Sequence, residues 1–144
     1  GRIRRVLLAD VRVVSPGRLY VRGMPDEPIR ALSIRALRWM VDGPGQPFAQ
    51  TEAPHGARRV ELDPARTDDA AQPYQLLINH ATDLRLDDAL IEEAEPGLAG
   101  PRGLLFARQA PGLQASVTGH LAQAQAAAHE LIDCPDAQLR GPLA

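Results

Sequence analysis

Asp26-Glu27-Pro28-Ile29-Arg30-Ala31-Leu32-Ser33-Ile34-Arg35-Ala36-Leu37-Arg38-Trp39-Met40-Val41-Asp42 is the stretch on which the fold turns, because it carries two competing periods. Ile29, Leu32, Ala36, Leu37 and Met40 fall at i, i+3, i+7, i+8 and i+11, a single helical stripe with Arg30, Arg35 and Arg38 off it. Asp26 can cap such a helix, Glu27 and Pro28 suit its first turn, and Gly43 can close it. Against this, Ser33-Ile34-Arg35-Ala36 alternates as a strand would. The end signals favour a helix over 26–42, with a strand as the alternative.

Working outward, residues 4–22 predict a β-hairpin. Val6-Leu7-Leu8-Ala9 and Val11-Arg12-Val13-Val14 lead into the turn Ser15-Pro16-Gly17-Arg18, and Leu19-Tyr20-Val21-Arg22 returns. Gly and Pro recur from Gly43 to Pro47, which predicts a flexible loop over about 43–57. Arg59-Val60-Glu61-Leu62 alternates as a short strand. Compact apolar strands are expected at Tyr74–Ile78 and Gly103–Ala107, with a short helix over Asp87–Ala94 between them. Leu113, Val117, Leu121, Ala124, Ala128, Leu131 and Ile132 keep helical spacing, so a long C-terminal helix is predicted over 112–133, ended by Pro135. No internal repeat is evident. The expected class is therefore α+β: a small mixed or antiparallel sheet beginning with a hairpin, packed by about three helices.

The 144 residues suit a single domain, 1–144, and the start at Gly1-Arg2 is compatible with excision from a longer chain. With 44% hydrophobic and 24% charged residues, the composition is that of a folded chain. All sixteen basic residues are arginine, a bias expected of a GC-rich bacterial genome. It excludes lysine chemistry, including Schiff bases and a P-loop lysine. Cys134 alone excludes an intrachain disulfide or a multi-cysteine zinc site, and no cofactor or metal is indicated. No apolar run is long enough to span a membrane, and a cytoplasmic location is expected, a periplasmic one being compatible.

Charge divides along the chain. Residues 1–66 hold twelve arginines against seven acids, a formal +5, and residues 67–144 hold four against eleven, a formal −7. Such an asymmetry concerns surfaces and partners. The leading expectation is a non-catalytic interaction or assembly module that binds an acidic protein or a second copy of itself. Arg12, Arg22, Arg35 and Arg38 are the candidate contacts, and Asp83, Asp87, Asp88, Glu92 and Glu93 the complementary patch. A solvated face neutralised within one copy is the plainer account of the same residues. Nucleic acid is disfavoured by the net charge of −2 and the scarcity of aromatics.

The alternative is a small enzyme or small-anion-binding protein, with a pocket near His80 at the end of the Tyr74 strand. There His80 would be a base oriented by Asp83, and arginines would hold a carboxylate or phosphate. Acids in a first helical turn are equally ordinary. His120, His129 and Cys134 form no set: nine residues put the two histidines on opposite sides of one helix, and Asp133 and Asp136 oppose a thiolate. The alanine-rich last helix would pack on its own sheet or, alternatively, on a second copy.

Overall fold

Every strand pair in the computed structural model, which describes residues 4–44, 72–122 and 129–141, is parallel. Among the described residues thirteen strands form five successive coils stacked in sequence order. The first holds β1 (Leu7–Ala9) and β2 (Arg12–Val14). The second holds β3 (Leu19–Arg22), β4 (Ile29–Arg30), β5 (Ser33–Arg35) and β6 (Arg38–Val41). The third holds β7 (Tyr74–Asn79), β8 (Ala81–Thr82) and β9 (Arg85–Glu93). The fourth holds β10 (Gly103–Arg108) and β11 (Gln114–His120), and the fifth β12 (His129–Ile132) and β13 (Gln138–Arg140). One sheet runs β3-β7-β10-β12, and β4 pairs β8. The largest sheet follows β1-β5-β9-β11-β13 and also takes in β2 and β6. This is a short parallel β-helix, a solenoid in which each coil hydrogen-bonds to its neighbours along the axis.

The corners explain how the chain bends so tightly. Arg5, Asp10, Ala31, Ala36, His80, Asp83, Asp88, Gln109, Asp133 and Asp136 all have φ between 50° and 58°, and Gly112 has φ 72°. A left-handed residue turns the strand direction without a loop, and Asp and His accept that region more readily than most side chains. All of these residues except Arg5, which precedes the exposed Val6, immediately precede an apolar side chain of the core, such as Leu32 after Ala31, Leu84 after Asp83 or Leu113 after Gly112. Their N–H groups continue the ladder: Arg5 donates to the Arg30 carbonyl, Ala31 to Thr82, Asp83 to Pro111 and Gly112 to Pro135.

The interior is a set of apolar columns running along the axis. Leu8, Ile34, Leu86, Ala115 and Leu139 stack in register, as do Val21, Ile78, Ala107 and Leu131. Leu76, Leu105 and Val117 are fully buried beside them. Trp39 joins the core and donates its indole N–H to the Ser15 carbonyl at 3.2 Å. A second small cluster, Tyr74, Leu77 and Phe106 with Tyr20 and Ile132, lies apart from this core, with the Tyr74 and Phe106 rings 5.7 Å apart.

The α+β expectation is therefore wrong, since the described residues contain no α-helix. Residues 26–42 form β4 to β6, residues 87–94 lie largely within β9, and the described parts of 112–133 form β11 and the start of the last coil. The mistake has one cause. Inward residues in the second coil are Ile29, Leu32, Ile34, Leu37, Trp39 and Val41, with steps of two along strands and three across left-handed corners. Ile29, Leu32 and Leu37 of this set coincide with the helical stripe, whereas Ala36 and Met40, which complete that stripe, are not core residues. Residues 4–22 are not a hairpin, because β2 pairs β6 while β3 pairs β7 in another sheet. The coils are also an internal repeat. The pattern of apolar residues at steps of three, three and two recurs at Ile78-Ala81-Leu84-Leu86, Ala107-Ala110-Leu113-Ala115 and Leu131-Cys134-Ala137-Leu139. The strands expected at 74–78 and 103–107 are present as β7 and β10. The strand expected at 59–62 lies outside the described residues, as does most of the loop expected at 43–57.

Candidate functional site

A solenoid converts sequence position into position along an axis, so the two charge halves become two ends. Residues 4–44 carry eight arginines against four acids, a formal +4, and the described residues from 72 onward carry four arginines against nine acids, a formal −5. At the extremes, the first coil has Arg4, Arg5 and Arg12 against Asp10, and the last has Glu130, Asp133 and Asp136 against Arg140. The order is not monotonic between them. The third coil holds Asp83, Asp87, Asp88, Glu92 and Glu93, and it lies directly against the second coil with Arg35 and Arg38.

On the largest sheet this brings Arg12, Arg35 and Arg38 together with Asp87, Asp88, Glu92 and Glu93, while Arg22 lies on β3 in the other sheet and Asp83 at a corner. Arg12 is in register with Arg38, Arg38 with Leu90, and Arg35 with Asp87. Arg38 Nη2 makes an ion pair with Asp88 Oδ2 at 2.9 Å, and its Nη1 donates to the Asp88 carbonyl. Both side chains are well exposed, so the pair adds little to stability. A depression of about 330 Å³ is lined by Arg12, Arg38, Met40, Leu90 and Glu92. It meets a larger one of about 650 Å³ lined by Glu92, Glu93, His120 and Ala122, with Glu92 common to both.

Glu93 has a structural task there. Its carboxylate accepts N–H groups from Ala122 (2.6 Å), Ala99 (2.9 Å) and Gly97 (3.2 Å), tying the turn after β9 to the end of β11. Burial would raise its pKa, but these three donors and the nearby Arg102 guanidinium hold the carboxyl below its usual value. Arg102, fully buried, donates to Gln75 Oε1 and the Pro44 carbonyl, and Gln75 Nε2 donates to the Gly17 carbonyl. Burial foremost, with Arg18 nearby, lowers the Arg102 pKa from that of a free guanidinium, against the pull of Glu93. Arg102 carries no sequence signal, because burial of a single arginine in a hydrogen-bond network has no short motif.

The third coil also fixes His80 and Asp83. Both occupy left-handed corners on either side of β8, and Asp83 is exposed with its carboxylate beside Gly112. Their placement has a conformational cause apart from any chemistry. Arg22 is in register with Asn79, and Asn79 with Arg108, on one ladder ending at the His80 corner. Arg22 Nη2 is buried without a hydrogen-bond partner among the described residues. Arg108 sits 5.8 Å over the Phe106 ring.

His120 ends β11 in register with Glu92, while His129 begins β12 in register with Leu105, so the two are not brought together. Cys134 is half-buried and donates to the Ala107 and Ile132 carbonyls. Burial foremost raises its pKa, partly offset by backbone hydrogen bonds and reinforced by Asp133, which disfavours a nucleophilic thiolate. Among the described residues no cluster of three metal-ligating side chains forms, and no helix is long and apolar enough to cross a membrane. No protein-family model, curated protein or solved structure matches the chain.

Proposed function

We propose that this chain is a non-catalytic interaction and assembly module that associates through the ends of its coil stack. The observation that carries the reading is the opposite charge of the two end coils, basic around Arg4, Arg5 and Arg12 and acidic around Glu130, Asp133 and Asp136. A self-complementary pair of ends suits a second copy, and the basic end alone suits an acidic protein surface. The interleaved arginines and acids on the largest sheet partly neutralise each other, so that face contributes less than the ends. Light scattering across a salt series tests the proposal. The expected result is a mass above 15.5 kDa at low ionic strength that rises with protein concentration and falls as salt is added. A 15.5 kDa species under every condition would contradict it.

One observation favours a second reading, an anion site on the Arg22–Asn79–Arg108 ladder beside His80. The buried Arg22 Nη2 supports it. Thermal shift against phosphate and small carboxylates, with Arg22→Ala and His80→Ala beside the parent chain, decides this. Stabilisation that either substitution abolishes would support the site, and no stabilisation would dismiss it.

A further inference from the structure

Leu8 is 45% exposed although it belongs to an interior column in which Ile34 is 3% and Leu86 1% exposed. Val6, 36% exposed, is its counterpart two residues earlier on the same side, at the head of a column that continues through Leu32, Leu84, Leu113 and Ala137. Among the described residues no coil lies over these side chains. At the far end Leu131, Ala137 and Leu139 are likewise only partly buried. β1 and β13 are the two edges of one sheet, each three residues long, and both are parallel to every strand between them. An unpaired β-edge is a template for a further strand.

We infer that two copies join head to tail in one register, with β1 of one copy added in parallel to β13 of the next. This rests on the assembly reading above and specifies its interface. The register follows from the lattice. Leu8 continues the column ending at Leu139, and Val6 the column ending at Ala137. The same placement seats Arg5 over Asp136, because both belong to the corner column Arg5, Ala31, Asp83, Gly112, Asp136. In that column each N–H donates toward the following coil. Asp136 N–H would donate to the Arg4 carbonyl of the next copy. Opposite charges then meet at the corner where apolar columns meet inside, so register and orientation are selected together. A one-residue slip would turn Leu8 outward and is disfavoured for that reason.

Disulfide trapping tests this register. In a Cys134→Ser background, one batch carries Arg5→Cys and a second Asp136→Cys. Strands in adjacent coils lie about 4.8 Å apart, within reach of a disulfide. Each copy then carries a single cysteine, so no intrachain bond competes. Mixing under mild oxidant should give a covalent heterodimer, whereas Arg5→Cys mixed with Gln109→Cys should not. As a variant that leaves thiols out, Arg5→Asp should weaken association about tenfold and Arg5→Asp with Asp136→Arg should restore it. Salt-sensitive association without the 5–136 crosslink and without charge-swap rescue would overturn this register while leaving the assembly reading intact. A monomer at all concentrations would overturn both.

Discussion

Leu86 and Leu8 occupy one column of the same sheet, yet one lies in the middle of the stack and the other at its edge. Leu86 is covered by coils on both sides and is 1% exposed; Leu8 is covered on one side and is 45% exposed. In a solenoid, burial is set by the neighbouring coils as much as by which way a side chain points. The middle of this molecule is therefore where side chains are most fully covered, and among the described residues the end coils leave apolar side chains such as Leu8 exposed.

The largest expected effect contrasts these two leucines. Leu86→Ala should cost about 2–5 kcal/mol of unfolding free energy. Leu8→Ala should cost less than half as much in dilute monomer, because water already reaches the site. Urea titration of both variants checks this, and equal losses would erase the distinction between middle and end.

A glycine comparison comes next. A β-carbon at Gly119 would collide with both methyl groups of Leu104, so Gly119→Ala should cost about 1–3 kcal/mol. At Gly141, in the last coil, φ is +66° and nothing lies within 4 Å, so Gly141→Ala meets only the left-handed penalty of about 1–2 kcal/mol. Melting temperatures of the two variants should fall in that order.

Glu93 sharpens the contrast through pH. Its carboxyl is held below the usual value when folded, so it contributes stability above the unfolded carboxyl pKa and loses it as pH falls through the lower folded value. The parent chain should lose stability on acidification in this range, and Glu93→Gln should be less stable at neutral pH with a flatter acid limb. Parallel acid limbs for the two proteins would remove Glu93 from this role. The smallest effect belongs to the exposed pair Arg38–Asp88, where a double-mutant cycle should give no more than about 1 kcal/mol.

Some of this was legible in advance and some was hidden for physical reasons. The strands at Tyr74–Asn79 and Gly103–Arg108 announce themselves because Leu76-Leu77-Ile78 and Leu104-Leu105-Phe106-Ala107 are continuous buried apolar runs. The division of charge was visible too, although only stacking in sequence order turns it into two ends. The repeat was hidden because its corners are filled by different residues. One column reads Arg5, Ala31, Asp83, Gly112, Asp136, with a shared backbone conformation and no shared chemistry. Ile29, Leu32 and Leu37, which face inward, also fall on a helical stripe, and Ala36 and Met40 complete that stripe without being core residues. Comparing the steps at 78, 107 and 131 would have separated a solenoid from a helix. For the site, Asp83 and His80 read from sequence as acid and base, and both stand at left-handed corners.

Amide hydrogen exchange measured at low and high protein concentration tests the central claim most directly. The account predicts that protection rises with concentration at Leu7–Val14 and His129–Arg140, the two end coils, while β7 and β10 stay equally slow throughout. Exchange at both ends that is fast and indifferent to concentration would contradict it.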